Sequence, residues 1–334
     1  MSHAGEFITS FTPIIRNSTG HIDVFGAFPK TMKHLLGIDE LSAAEIDEIL
    51  NRSDYYATAL REGRWDRDKL KHKIVLTLFF ENSTRTVTSF DFAAKRLGAD
   101  VVNWNAEVSS LKKDETFSDT IDTLSAMEPD AIVIRHHEYG APGYVAKRVN
   151  CPVINAGDSW REHPTQALLD ALTMRQEKGS LEGLSVAICG DVAHSRVANS
   201  NALLLTKMGA KVRFVAPEFL MPQKLPAAGI TCFDTLEDGI KDADVVMMLR
   251  IQKERMDRGM VPNDAAYFNK YGLTSERLAL AKKDALVMHP GPMNRGVEIA
   301  DEVADDPQRS LMKKQVSNGV PTRMAVLDML IAGW

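Results

Sequence analysis

Residues Phe79-Phe80-Glu81-Asn82-Ser83-Thr84-Arg85-Thr86 set hydroxyls and a guanidinium directly behind an apolar run. A helical pattern opens after them, with Phe90, Ala93, Ala94 and Leu97 on one side. A helix N-terminus carries unpaired N–H groups and the positive end of the helix dipole, which favours an oxyanion. Ser83, Thr84 and Thr86 add hydroxyl donors, and Arg85 adds a planar charged fork. Every part suits a phosphate. The alternative is that Ser83 or Thr84 is an N-cap and Arg85 a surface charge.

Six further segments carry side chains of the same kind. Ser109-Ser110-Leu111-Lys112-Lys113-Asp114-Glu115-Thr116 is a polar loop whose adjacent ammonium groups suit a dianion or a dicarboxylate, or form a solvated charge run. Arg135 closes the apolar run Ile132-Val133-Ile134 and so sits at a strand end. His136 and His137 follow it. As neighbours on a strand they should point to opposite faces and make poor partners for one metal ion. In Arg161-Glu162-His163-Pro164-Thr165-Gln166, Pro164 suits a first helical turn. His163 and Gln166 then stand at the helix mouth, able to hydrogen-bond a carbonyl oxygen and an amide, unless His163 is satisfied locally. Cys189-Gly190-Asp191-Val192-Ala193-His194-Ser195-Arg196 joins a strand to a helix without the G-x-G-x-x-G spacing, so a dinucleotide-like shape is expected and nicotinamide binding is not. Leu249-Arg250-Ile251-Gln252-Lys253-Glu254-Arg255 and His289-Pro290-Gly291-Pro292 each follow a strand. The second is a stiff turn with exposed carbonyls.

The elements that position these groups are legible from periodicity. Short apolar runs at Ile74–Phe80, Val101–Trp104, Ala131–Arg135, Val153–Asn155, Ser185–Cys189, Lys211–Ala216, Val245–Leu249 and Ala285–Met288 alternate with helical stretches. Their continuous hydrophobicity predicts strands buried on both faces, hence parallel sheets with crossover helices. The fold class expected is α/β: two Rossmann-like domains, each a parallel sheet flanked by helices, joined by linking helices. Ser42-Ala43-Ala44-Glu45 is a capping-box pattern. Trp160–Lys178 reads as one long linking helix ending at Gly179-Ser180, and Asn318–Trp334 as a C-terminal helix. The division expected is an N-terminal extension over 1–30, a first domain over 31–164 plus 315–334, and a second over 165–314. Residues Ile251–Thr274 mix Gly, Pro and charges and are read as a mobile flap.

Composition bounds the class. The chain has 334 residues, 44% hydrophobic and 25% charged, with net charge -5, which suits two ordinary soluble domains and carries no basic stripe for nucleic acid. Cys151, Cys189 and Cys232 are far apart and form no C-x-x-C pair, so no zinc site is expected. No signal peptide or membrane-spanning run is read, and the expected address is the cytoplasm. Asn17-Ser18-Thr19 is then a chance glycosylation pattern.

Taken together and in this order, the segments resemble the aspartate/ornithine carbamoyltransferase family from about Phe28 to the C-terminus. Arg250-Ile251-Gln252-Lys253-Glu254-Arg255 and His289-Pro290-Gly291-Pro292 match its aspartate branch. The His-Cys-Leu-Pro and Ser-Met-Gly patterns of the ornithine branch are missing. The resemblance implies carbamoyl transfer from carbamoyl phosphate to aspartate, in pyrimidine biosynthesis, with no cofactor and no metal. It implies that Ser83, Thr84, Arg85, Thr86 and Ser109 hold the phosphate, and that Arg135, His163 and Thr86 contact the carbonyl oxygen. Gln166 and the backbone of Pro290, Gly291 and Pro292 would bind the amine of the carbamoyl group. Arg196, Arg250, Gln252 and Lys113 would receive aspartate, and Lys113 would also reach the phosphate. It also implies a homotrimer whose Ser109–Lys113 loop completes a neighbour's site, and leaves open a larger assembly with regulatory or dihydroorotase-like chains. Rival readings are transfer to ornithine or a related amine, and an inactive scaffold chain. Two departures stand out: Val87 where the family commonly has a second arginine, and Asp114 where it commonly has glycine.

Overall fold

The computed structural model describes residues 32–105, 116–253 and 263–332, with a short antiparallel pair formed by β1 (Ile15–Arg16) and β2 (Ile22–Asp23). The first half runs α1 (Ala43–Glu62), β3 (Ile74–Phe79), α2 (Thr84–Arg96), β4 (Asp100–Asn105), α3 (Phe117–Ser125), β5 (Ala131–His136), α4 (Ala141–Ala146), β6 (Val153–Asp158) and α5 (Pro164–Lys178). The second half runs β7 (Ser185–Cys189), α6 (Arg196–Lys207), β8 (Lys211–Val215), β9 (Thr231–Phe233), α7 (Leu236–Ile240), β10 (Val245–Met248), α8 (Asp264–Tyr271), α9 (Ser275–Leu278), β11 (Leu286–Met288), α10 (Asp301–Ala304) and α11 (Met312–Leu327).

Two wholly parallel sheets result, ordered β4-β3-β5-β6 and β11-β10-β7-β8-β9. The α/β expectation with two Rossmann-like sheets holds. Strands β7 and β10 are buried along their whole length, as their unbroken hydrophobicity requires. In each sheet the strand order reverses beside the first strand laid down, between β3 and β5 and again between β7 and β10. Such switch points open a crevice beyond the carboxyl ends of the strands, where ligands bind.

One apolar cluster runs from α1 and α2 through α5 and α11 to the facing sides of both sheets. Separate clusters cover the outer side of each sheet. The capping box forms: Ser42 Oγ accepts from Glu45 N, and Ser42 N donates to Glu45 Oε2.

Two boundaries and one edge strand depart from the sequence pattern. α5 begins at Pro164 rather than Trp160, because Trp160–His163 bends into a bridge between Asp158 and Glu162. α11 starts six residues before the expected Asn318 and carries Pro321 inside it. The edge strand β9 was not expected, since two of its three residues are exposed and they form no apolar run. Part of the flap region also folds as the helix α8, capped by Asn263.

Candidate active site

The carboxyl ends of the strands carry the chemistry-bearing residues, most of them at the two switch points. Ser83–Thr86 follow β3, Arg135 closes β5, Arg196 opens α6 beyond β7, and Arg250 and Gln252 follow β10. His163 and Gln166 follow β6, and Pro290–Pro292 follow β11.

Ser83 occupies the N-cap position of α2, yet its side chain makes no capping hydrogen bond. The simple N-cap explanation therefore leaves its hydroxyl unspent. Thr86 is buried in the first turn and Arg85 is exposed toward the cleft. The Arg85 guanidinium passes against Gly291, where a Cβ would fall inside contact distance of Arg85 Nη1 and where φ is +67°. The positive φ favours glycine there, and a side chain would also displace the Arg85 head. Burial, then the nearby Arg250, lower the Arg85 pKa. Two like charges drawn together in this way are costly until an anion joins them.

Arg135 and Arg196 converge at Gly157, whose φ is +119°. A Cβ there would lie 3.0 Å from Arg135 Nη1 and 3.1 Å from Arg196 Nη1. The Glu81 carboxylate lies 2.6 Å from Arg196 Nη2 and 3.3 Å from Arg135 Nε, while Arg135 Nη1 donates to Ala156 O at 3.3 Å. Glu81 thus bridges one arginine from each sheet. The sequence showed it inside the phosphate segment without indicating a role, because both partners lie far along the chain.

His163 is buried, and its backbone N–H donates to Ser200 Oγ. Burial, then Arg135, Arg323 and Arg196, hold the imidazole well below its ordinary pKa, so it stays neutral. Its Nδ1 has no hydrogen-bond partner among the described residues. Ser200 Oγ donates in turn to Glu162 Oε2, and Glu162 also accepts from Ile38 N. Burial pushes the Glu162 carboxyl up to about 7.

Gln166 Nε2 donates to the buried Asp170 Oδ1 at 2.9 Å. His289 N donates to Gln315 Oε1, and Gly291 N donates to His289 Nδ1 at 2.8 Å, which leaves Nε2–H to face Glu298 at 3.2 Å. The turn Pro290–Pro292 is therefore anchored at its root. Gln252 is held by its own N–H on Asp191 Oδ2 and by Nε2 on His194 O.

Ser109, Lys113 and Asp114 lie outside the described residues, as do 254–262 of the flap. Val87 lines a hollow of about 390 Å³ with Ser83, Thr84, Thr88 and Trp104, on the flank of α2. His136 and His137 correct an expectation. Their rings stack at 4.4 Å instead of pointing apart, because β5 ends at His136 and the chain turns there. Among the described residues no group of three or more His, Cys, Asp or Glu could hold a metal ion.

Comparison with known proteins bears on most of the chain. Residues 33–176 match the family description "Aspartate/ornithine carbamoyltransferase, carbamoyl-P binding domain", and residues 182–330 match "Aspartate/ornithine carbamoyltransferase, Asp/Orn binding domain". The aspartate carbamoyltransferase catalytic subunit of Rhodospirillum rubrum is 55% identical, over 91% of this chain and 95% of its own. That of Acidiphilium cryptum is 54% identical, over 89% and 96%. Among solved structures, aspartate transcarbamoylase from Trypanosoma cruzi in complex with N-(phosphonacetyl)-L-aspartic acid superposes with a TM-score of 0.80 at 32% identity, covering 90% of this chain and 96% of that one. Ornithine carbamoyltransferase from Pyrococcus furiosus gives 0.83 at 29% identity, covering 90% and 98%. With both halves matched and the switch-point residues in place, the chain belongs to the aspartate/ornithine carbamoyltransferase family.

Proposed function

We propose that the protein is an aspartate carbamoyltransferase: it transfers the carbamoyl group of carbamoyl phosphate to the amine of L-aspartate, releasing N-carbamoyl-L-aspartate and phosphate in pyrimidine biosynthesis. The observation that carries this reading is a pair of arginine couples beyond the strand ends: Arg85 beside Arg250, and Arg135 with Arg196 at Gly157, the second couple bridged by Glu81. Such a cationic excess suits two anionic substrates. The fold alone does not select the acceptor, since the ornithine enzyme superposes as well as the aspartate one. The arginines do: ornithine would bring its side-chain cation beside them, and aspartate a second carboxylate.

In this reading Ser83, Thr84, Arg85 and Thr86 hold the phosphate with the α2 N-terminus, joined by Ser109. Arg135, Thr86 and the neutral His163 stabilise the carbonyl oxygen as the neutral aspartate amine attacks the carbamoyl carbon. A neutral imidazole suits this, because it offers a donor without adding a third charge beside Arg135 and Arg196. Gln166 and the backbone at Pro290, Gly291 and Pro292 accept from the carbamoyl NH2. Arg196, Arg250, Gln252 and Lys113 bind aspartate. The leaving phosphate accepts the amine proton, so no covalent intermediate, cofactor or metal is needed. Alignment of the two substrates contributes roughly 7–11 kcal/mol of the barrier reduction. Initial rates with carbamoyl phosphate and either aspartate or ornithine test the reading. Product with aspartate alone is expected; preference for ornithine, or no turnover with either, would overturn it.

We further read residues 31–164 with 315–334 as the carbamoyl phosphate unit, since α11 packs on α1 and α2, and 165–314 as the aspartate unit. The assembly is a cytoplasmic homotrimer whose Lys113 loop reaches the neighbouring site. No helix among the described residues is long and apolar enough to cross a membrane. If sites are shared, inactive Lys113→Ala and Arg85→Ala chains should regain up to about a quarter to a third of wild-type activity once their subunits exchange, because some mixed interfaces then hold one intact site. Exchange verified by mass, with no recovery of activity, would refute shared sites.

A further inference from the structure

Asp170 lies one turn after Gln166 on α5, fully buried, and makes contacts that reach both halves of the molecule. Its Oδ1 accepts from Gln166 Nε2 at 2.9 Å and from Gln315 Nε2 at 2.8 Å, and its Oδ2 accepts from Asn201 Nδ2 at 2.9 Å. Arg323, buried on α11 and bonded to Ser89 Oγ and Gly319 O, is the charged group that faces it. Burial pushes the Asp170 carboxyl up to about 6, while the three amide donors and Arg323 pull the other way.

We propose that Asp170 is a positioning residue that fixes the polarity of the Gln166 amide and, through Gln315, the root of the Pro290–Pro292 turn, so that the site selects an acyl phosphate bearing an NH2 group. The inference rests on the assignment of Gln166 and that turn to the carbamoyl amine.

A side-chain amide has two chemically opposite ends, and an ionised carboxylate can only accept. Each amide touching Asp170 must therefore present its NH2 to it and its carbonyl elsewhere. Gln315 shows the consequence independently. Its Oε1 accepts from His289 N at 2.9 Å, and a backbone N–H can do nothing but donate. The same logic turns Gln166 Oε1 away from Asp170, toward the mouth of α5. There it becomes an acceptor for a substrate NH2, beside the carbonyls of a turn that Gln315 anchors. An acetyl group would set a methyl against these acceptors and leave them unpaired. With Asp170 removed, the Gln166 amide is free to flip, and its NH2 would then oppose the NH2 of the substrate.

The experiment compares the affinities of carbamoyl phosphate and acetyl phosphate for the full-length chain by competition against turnover. Wild type is expected to favour carbamoyl phosphate. The affinity ratio should fall about tenfold in Asp170→Ala, in Gln315→Met and in Gln166→Met, each of which loses part of the amine-directed acceptor set. Adding Asp170→Ala to Gln166→Met should lower it little further, since both act through one amide. Asp170→Asn should keep the ratio within about threefold of wild type. Its oxygen can retain both glutamine donors while its NH2 turns to Asn201 Oδ1, which has no partner among the described residues. A merely structural Asp170 would weaken both ligands equally. An unchanged ratio in folded Asp170→Ala, with a fall in Gln166→Met, would overturn the proposal. If Asp170→Ala does not fold, an unchanged ratio in Gln315→Met does so. A wild type that binds both ligands alike would instead overturn the assignment of the amine subsite.

Discussion

Replacing Arg85 by Ala should lower kcat/KM by about a thousandfold or more while leaving the melting temperature close to that of the wild type. The two halves of this expectation have separate causes. Among the described residues no hydrogen bond or ion pair holds Arg85, so truncation breaks no contact of that kind with them. It also relieves the repulsion from Arg250 that lowers the Arg85 pKa. The functional loss is of another kind. A phosphate at the α2 N-terminus would lose its bidentate partner, and the leaving group would lose neutralisation as its charge develops. Arg85→Lys is a sharper version, because it keeps the charge and removes the planar fork. It should recover only part of the loss. Steady-state kinetics with thermal melts on the same preparations decide the matter. A folded Arg85→Ala chain with near-normal turnover would remove Arg85 from the phosphate site.

Much of this cleft was legible in the sequence because its parts are local. An apolar run that stops at Phe80 and a helix that opens by Thr84 place Ser83–Thr86 at a strand end without reference to the rest of the chain. The same holds for Arg135 after β5 and for Arg196 after β7. Strand-end position is a one-dimensional property, and the topology then gathers strand ends on one side of each sheet. What sequence could not show is pairing across the cleft. Glu81 reads as one carboxylate in an otherwise anion-binding segment, and its meaning appears only when Arg135 and Arg196 arrive from 54 and 115 positions away. Asp170 and Gln315 look like unremarkable polar positions on two helices, yet they meet in the core. His136 and His137 failed for a different reason: the period-two rule was applied one residue beyond the end of the strand.

Arg196→Met should raise the KM for aspartate about a hundredfold and change carbamoyl phosphate affinity by less than about threefold. Arg196 is 6% exposed at the first turn of α6, with Nη2 on Glu81 and with Nη1 unpartnered among the described residues. A buried guanidinium nitrogen without an acceptor costs energy, and a substrate carboxylate would recover it. Methionine keeps the stem that packs against the helix and removes only the charged head. Two accounts of the loss compete. Arg196 either binds the aspartate carboxylate itself or merely ties α6 to Glu81 and so holds the two sheets at a working separation. Glu81→Gln separates them. It keeps the shape of the side chain but removes the charge, and with it most of the strength, of the pairing that binds both arginines. If Arg196 acts as a tether, Glu81→Gln should reproduce most of the rise in aspartate KM. If Arg196 is the ligand, Glu81→Gln should raise it far less, because the guanidinium stays in the cleft and is freer to meet the substrate. The geometry favours the ligand account, since Glu81 also keeps Arg135 as a partner at 3.3 Å and the sheets remain joined by α5 and a continuous apolar core. Loss of the Arg196–Glu81 bond alone is too small a change to move the two sheets apart.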